Sequence, residues 1–288
     1  MSALTGKTAL ITGATNGIGL ETAVALARLG ANVILVGRDE RRTSEAAGLV
    51  QTRSGSSSVA FELCDLSSLE QVRRLAERVR TRHPPLDVLV NNAGGAFLTR
   101  TLTSEGREAT FTVNHLAPYL LTRLLLEPPA LSPRARIITV ASEGHRPGTL
   151  DFEDLGFERG YTSLKAYNRS KLANVLFTRE LARRLAGTGI TANCMHPGQV
   201  ATGIWNSAFP QWLGPVLSAA KKLVMITAEQ AAQHIVHLAT SPEVAGLTGV
   251  YFDKRRPSKP SRKAQDDALA RRLWEESARL VGLDATSA

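Results

Sequence analysis

Two tyrosines and two lysines crowd the stretch YTSLKAYNRSK: Tyr161 stands four residues before Lys165, and Tyr167 four before Lys171. On a helix that spacing puts a phenol and an ammonium on one face. A phenol of pKa about 10, drawn down by a nearby cation, can exchange a proton with a carbonyl oxygen near neutral pH. On one continuous helix the two tyrosines would differ by roughly 240° in direction and about 9 Å along the axis, so only one pair can face a given site. Tyr161 follows Gly156 and Gly160 in a stretch that reads as loop or helix start, whereas Tyr167 opens a strongly helical run. Ala166, Ser170 and Ala173 beside it form a stripe of small residues that leaves room for a cofactor. The expected reactive pair is Tyr167 with Lys171. Tyr161 is expected to line the substrate side or the surface.

A second stretch speaks of phosphate. Thr12-Gly13-Ala14-Thr15-Asn16-Gly17-Ile18-Gly19 joins an apolar, strand-like run to a helical pattern. Glycines there let the backbone turn sharply and approach a pyrophosphate, and the helix N-terminus offers N–H groups and a positive dipole end. The second strand ends Val36-Gly37-Arg38, where selection for NAD would call for an acid. Arg38 instead suits the 2′-phosphate that only NADP carries, because a guanidinium pairs with it bidentately. Asp65, at the end of the third strand, is placed to meet the adenine or to serve as a turn residue.

These positions need a scaffold, and the chain supplies one by alternation. TALIT, NVILV, VAFEL, DVLVN, RIITVA and TANCM read as strands. Between them run helices from Gly17 to about Leu29, after Asp39, over SLEQVRRLAERV, from about Ser104, and through Lys165 to Leu185, with AEQAAQHIVHLA following the sixth strand. This period predicts an α/β fold, a doubly wound parallel sheet with helices on both faces, as one domain over residues 1–288. Ser67 to Glu70 reads as a capping box, and Gly30 as the stop of the first helix. The segment from about 200 to 223 and a C-terminal extension from 257, which ends in a helical pattern, fall outside the alternation.

Taken together, the residues resemble the short-chain dehydrogenase/reductase family over almost the whole chain. TGATNGIG is similar to its glycine loop and Asn91-Asn92-Ala93-Gly94 to its element after the fourth strand. Asn114, Ser142, Tyr167 and Lys171 fall in order at its catalytic tetrad, Ser170 stands before the lysine as in the family pattern, and His196-Pro197-Gly198 matches its turn after the sixth strand. VNHLAPYLLT, HPGQVAT and YFDKRRPSKPS look closest to the retinol-dehydrogenase-like and protochlorophyllide-reductase-like branch. Departures, Pro118-Tyr119 after Asn114 and Gly95-Ala96 after NNAG, bear on substrate rather than on chemistry.

The resemblance implies a Rossmann-type NADP(H) oxidoreductase working between a carbonyl and an alcohol. Tyr167 would be the general acid/base and Lys171 would lower its pKa and hold the nicotinamide ribose. Ser142 would orient the substrate oxygen, and Asn114 would hold a water. Cofactor contacts are implied for Gly13, Thr15, Asn16, Gly17, Ile18, Gly19, Arg38, Asp65, Leu66, Asn92, Ala93, Gly94, Tyr167, Lys171, Pro197, Gly198, Val200 and Thr202. A homo-oligomer is compatible with it. Rival readings are an epimerase or dehydratase of the extended relatives and a non-catalytic NADP-binding scaffold or sensor. Neither accounts as well for the glycine spacing together with an intact tetrad.

Composition sets outer limits. With 43% hydrophobic and 21% charged residues among 288, the chain is ordinarily globular, and no apolar run approaches the ~18 residues of a membrane span. The N-terminus reads as a first strand rather than a secretory signal, and two cysteines are too few for a disulfide framework or a four-thiolate metal site, so a reducing cytoplasm is expected. Cys64 and Cys194 read as buried thiols. The net charge of +9 is spread along the chain, and its dense run KRRPSKPSRK at 254–263 lacks interleaved aromatics, so it reads as a solvated loop rather than a nucleic-acid groove. A helix through Trp205, Phe209 and Trp212 would show one aromatic face, which reads either as packing on the protein's own core or, with Leu213, as a lid over a lipophilic substrate, with Phe97, Phe152 and Phe157 extending the lining.

Overall fold

The computed structural model describes residues 3–199 and 226–286. The lid residues Trp205, Phe209, Trp212 and Leu213, and the expected cofactor contacts Val200 and Thr202, lie outside the described residues.

Strands β1 (Thr8–Thr12), β2 (Asn32–Gly37), β3 (Val59–Leu63), β4 (Leu86–Asn91), β5 (Leu131–Val140) and β6 (Thr191–His196) are joined by helices α1 (Gly17–Arg28), α2 (Glu40–Ser54), α3 (Leu69–Arg82), α4 (Ala109–Phe111), α5 (Ala117–Leu125) and α6 (Ser163–Arg184). After them come α7 (Ala228–Thr240), β7 (Tyr251–Asp253), β8 (Arg256–Ser258) and α8 (Asp267–Val281). The sheet order is β3-β2-β1-β4-β5-β6-β7-β8, parallel throughout except for the last pair. Every residue of β1 and β6 is buried, as central strands covered on both faces require. Alternate residues feed two cores. Leu10 and Leu89 face the apolar layer under α3, α5, α6 and α8, while Ile11 and Val90 face the layer under α1 and α7.

The functional consequence of this order lies between β1 and β4. Here the winding reverses, and the carboxyl ends of both strands open onto one crevice, the usual ligand position in such sheets. Register brings Thr12 beside Val36, Gly37 beside Leu63, and Asn91 beside Thr139, so residues far apart in sequence meet along one sheet edge.

Three sequence expectations change. The helix expected from Ser104 starts at Ala109, because Gly106 adopts a left-handed φ of 73° and Glu108 caps the first turn, accepting from Thr110 N at 2.7 Å and Phe111 N at 2.6 Å. Ser68, not Ser67, caps α3 by accepting from Gln71 N; Ser67 donates to Asp65 instead. The expected solvated loop at 254–263 supplies the turn and second strand of a β-hairpin, β7 and β8, whose first strand extends the sheet beside β6. Its turn holds Lys254 at φ 58°. The tail helix α8 docks through Trp274, which is 1% exposed and sits beneath the Arg123 and Arg184 guanidinium groups.

Candidate active site

The glycine loop is built as its sequence suggests. Gly13 has φ 65°, and a Cβ there would stand 2.9 Å from Ala93 Cα. A Cβ on Gly19 would stand 2.6 Å from Asn92 Nδ2 and strike the Gly13 carbonyl. Only glycine permits this close approach of two backbones. The loop is locked to the β4 end by Thr12, whose Oγ1 accepts from Asn92 N at 3.0 Å and from Ala93 N at 3.1 Å. Asn92 Nδ2 returns the tie by donating to Thr12 O at 2.8 Å. Thr12 and Asn92 therefore hold the two halves of the crevice in register. Thr12 was legible only as the start of the loop, because its partners lie eighty residues away.

Asn16 precedes α1 with extended backbone and no side-chain hydrogen bond to the helix, and the first turn carries no acid. An N-terminus built this way keeps its N–H groups and dipole directed at an anion. Thr15, Gly17 and Ile18 form its entry, and all three are half-buried. The residues fit a dinucleotide pyrophosphate: a cradle too narrow for a Cβ, facing an uncapped helix end.

Arg38 is exposed at the end of β2. A Cβ on Gly37 would stand 2.6 Å from Thr15 Cγ2, so this strand end lies directly against the glycine loop. The next residue, Asp39, caps α2 by accepting from Arg42 N at 2.8 Å. Asp65 makes a turn, its Oδ1 accepting from Ser67 N and Ser67 Oγ, at 2.9 and 2.8 Å. Leu66 is buried beside it.

The reactive end is assembled by α6. Thr162 caps this helix by accepting from Lys165 N, and the helix begins at Ser163. Tyr161 is therefore not on the helix at all, and its hydroxyl donates to Phe97 O at 2.7 Å. Lys165 is exposed. Tyr167 is 8% exposed and hydrogen-bonds with the Ser142 side chain. Lys171, 3% exposed, donates from Nζ to Val140 O at 2.8 Å and stands 5.5 Å from the Tyr167 ring centre. Tyr167 and Lys171 are the pair brought together with Ser142.

Asn114 occupies a π-helical turn, Thr112–Leu116, between α4 and α5. Such turns expose backbone and side chain in ways a regular helix does not, and they occur often at functional sites. The Asn114 side chain clamps Gly95, accepting from its N at 2.8 Å and donating to its O at 2.9 Å, and also donates to Ser170 Oγ at 2.9 Å. A Cβ on Gly94 would lie 3.4 Å from both Asn114 Oδ1 and Lys171 Nζ, so the two side chains converge on this glycine. Pro197 and Gly198 are buried beyond β6, with Gly198 at φ 99°.

Electrostatics differ from the sequence expectation in one respect. The Tyr167 hydroxyl is pushed up from its ordinary value, because burial outweighs the Ser142 hydrogen bond, rather than being drawn down by Lys171. Burial in turn lowers Lys171 to about 8. Desolvation disfavours the charged form of each, raising the phenol and lowering the ammonium. The same burial raises Cys64 and Cys194 to about 12, leaving both as inert thiols. Of the proposed lining, Phe157 is buried beneath the Arg169 guanidinium, and Phe152 packs on the core beneath Arg272.

Lys171 also makes a stability prediction. Its folded pKa lies below its unfolded value, so between about pH 8 and 10.5 the unfolded chain binds more protons and stability from this group rises with pH. Relative to Lys171→Met, wild-type Tm is expected to gain as pH climbs through that window without cofactor. A difference that stays flat across the window would contradict the buried ammonium.

Comparison with known proteins agrees with this geometry. Residues 7–212 match the family model described as short chain dehydrogenase. The chain is 42% identical to Homo sapiens retinol dehydrogenase 13, over 98% of this chain and 86% of that protein. A crystal structure of an uncharacterised protein from Mycobacterium Paratuberculosis superposes with a TM-score of 0.79 at 34% identity, covering 98% of this chain and 95% of that one. A Pseudomonas aeruginosa RhlG/NADP active-site complex gives 0.69 at 26% identity, covering 93% and 97%. A cradle of glycines, a Tyr and Lys on one helix and near-full-length similarity converge on one statement: the chain belongs to the short-chain dehydrogenase family, in its retinol-dehydrogenase-like branch, and is an oxidoreductase by family.

Proposed function

We propose that this protein is an NADP(H)-dependent oxidoreductase that interconverts a carbonyl and an alcohol on a small lipophilic substrate. The observation that carries the reading is the convergence of Tyr167, Ser142, Lys171 and Asn114 beside the glycine cradle. The nicotinamide would supply or accept the hydride, held by the Gly13–Gly19 loop, Arg38, Asn92 to Gly94, Lys171 and the Pro197-Gly198 turn.

Each side chain then has a separate task. Tyr167 donates its proton to the substrate oxygen during reduction and takes it back in oxidation. Its raised pKa keeps it protonated, which suits the donor role. Ser142, already hydrogen-bonded to Tyr167, orients the same oxygen. Lys171 is poised at about 8, so a modest change in surroundings moves it between charge states and adjusts how readily Tyr167 ionises. Asn114 keeps the Gly94-Gly95 backbone in place for the ring that must approach it.

Lipophilicity is supported at the site's rim. Leu98 and Leu164 are 52% and 54% exposed, and the Tyr161–Phe97 hydrogen bond ties their two segments together ahead of Tyr167. Exposed apolar side chains on two segments tied together in this way offer a contact surface for an apolar ligand. The test is loss of NADPH absorbance with a panel of aldehydes and ketones graded in length and polarity. Turnover is expected to favour long apolar carbonyls; activity confined to short polar ones would overturn the substrate class.

A further inference from the structure

We infer that His145 is a positioning residue for Ser142, coupling the serine's backbone to the C-terminal segment through one fixed imidazole tautomer; the inference rests on the role proposed above for Ser142. His145 is completely buried, one turn past β5, with its ring 4.8 Å from that of Tyr251. Its Nε2 lies 3.1 Å from Ser261 N. A backbone N–H can only donate, so Nε2 is bare and accepts. The single proton of the neutral ring is therefore on Nδ1, which donates to Ser142 O at 2.7 Å.

The same carbonyl also accepts from His145 N at 3.0 Å. Ser142 sits where β5 ends and a tight turn begins, with φ −166° and ψ 160°. Fixing its carbonyl from two donors fixes ψ, and with it the direction in which Oγ meets Tyr167. Protonating Nε2 would set N–H against N–H, and burial keeps the ring below its ordinary pKa.

Three further contacts tie the residues after Ser142 to the same distant segment. Tyr251 Oη donates to Glu143 Oε1 at 2.7 Å, Arg146 Nη2 to Lys259 O at 3.4 Å, and Lys263 Nζ to Gly148 O at 3.4 Å. The hairpin and the turn that follows it thus serve as a brace for the serine. His145 is the member of that brace that touches Ser142.

Three variants of the full-length enzyme separate the two ring nitrogens. The amide nitrogen of His145→Asn reaches the Nδ1 position and keeps the donor to Ser142. The amide of His145→Gln reaches the Nε2 position and keeps only the acceptor for Ser261. His145→Phe keeps the ring and loses both. Relative to wild type, kcat is expected to fall about tenfold in Phe and Gln, with KM for NADPH unchanged, and to stay within about threefold in Asn.

Adding His145→Phe to Ser142→Ala should cost no further kcat, since the histidine acts through the serine. Wild-type kcat in His145→Phe, or an additive loss in the double variant, would overturn the inference. If His145→Phe does not fold, equal kcat in Asn and Gln overturns it. A Ser142→Ala enzyme with wild-type kcat would instead remove the serine role itself, and this inference with it, while Tyr167→Phe still reports on the reaction.

Discussion

Tyr167→Phe is expected to lower kcat by at least about 10²-fold while NADPH still binds. The substitution keeps the ring against the Lys171 side of the helix and deletes only the hydroxyl that hydrogen-bonds with Ser142. Cofactor affinity should survive, because the Gly13, Gly19 and Asn92 contacts that build the cradle do not involve this hydroxyl. Tyr161→Phe should leave turnover near wild type. Its hydroxyl holds Phe97 O ahead of the α6 N-terminus, so its loss disturbs only the substrate-side rim. Single-turnover and steady-state kinetics beside a fluorescence titration with NADPH measure all three quantities. The reverse ranking of the two tyrosines would refute the choice of pair.

Cofactor preference carries the second large effect. Wild type is expected to use NADPH more than tenfold better than NADH in kcat/KM, since one bidentate charge-assisted contact to a phosphate is worth about 1.5–3 kcal/mol. Arg38→Asp should invert that order, replacing the cation with an acid suited to a ribose 2′-hydroxyl. The neighbouring acid does not already do so, because Asp39 is committed to the N-terminus of α2. Gly37 brings this strand end against Thr15 of the glycine loop, so position 38 stands beside that loop. Equal use of both cofactors by the wild type would remove Arg38 as the selector.

Much of this molecule was written locally. Strand and helix periods, the glycine loop ahead of α1, and a Tyr and Lys four apart on α6 depend on residues a few positions apart. Chain geometry alone determines such patterns, so the doubly wound fold and the Tyr167–Lys171 pair were legible without coordinates.

Tertiary structure decided what depends on distant partners and on water. Asp65 makes a turn because Ser67 donates to one of its carboxylate oxygens, and the run at 254–263 holds a strand, β8, because β7, itself paired with β6, offers it an edge. Asn114 found Gly95 and Ser170, 19 and 56 residues away, through a π-turn that no local periodicity announces. The direction of the Tyr167 shift was likewise a property of the packed state. A neighbouring ammonium is visible in a sequence, whereas desolvation depends on every segment that covers the group, and here burial outweighs the Ser142 hydrogen bond. His145 shows the limit most plainly: its meaning lies in Ser142 on one nitrogen and, 116 residues away, Ser261 on the other, and only the folded chain brings the two to one ring.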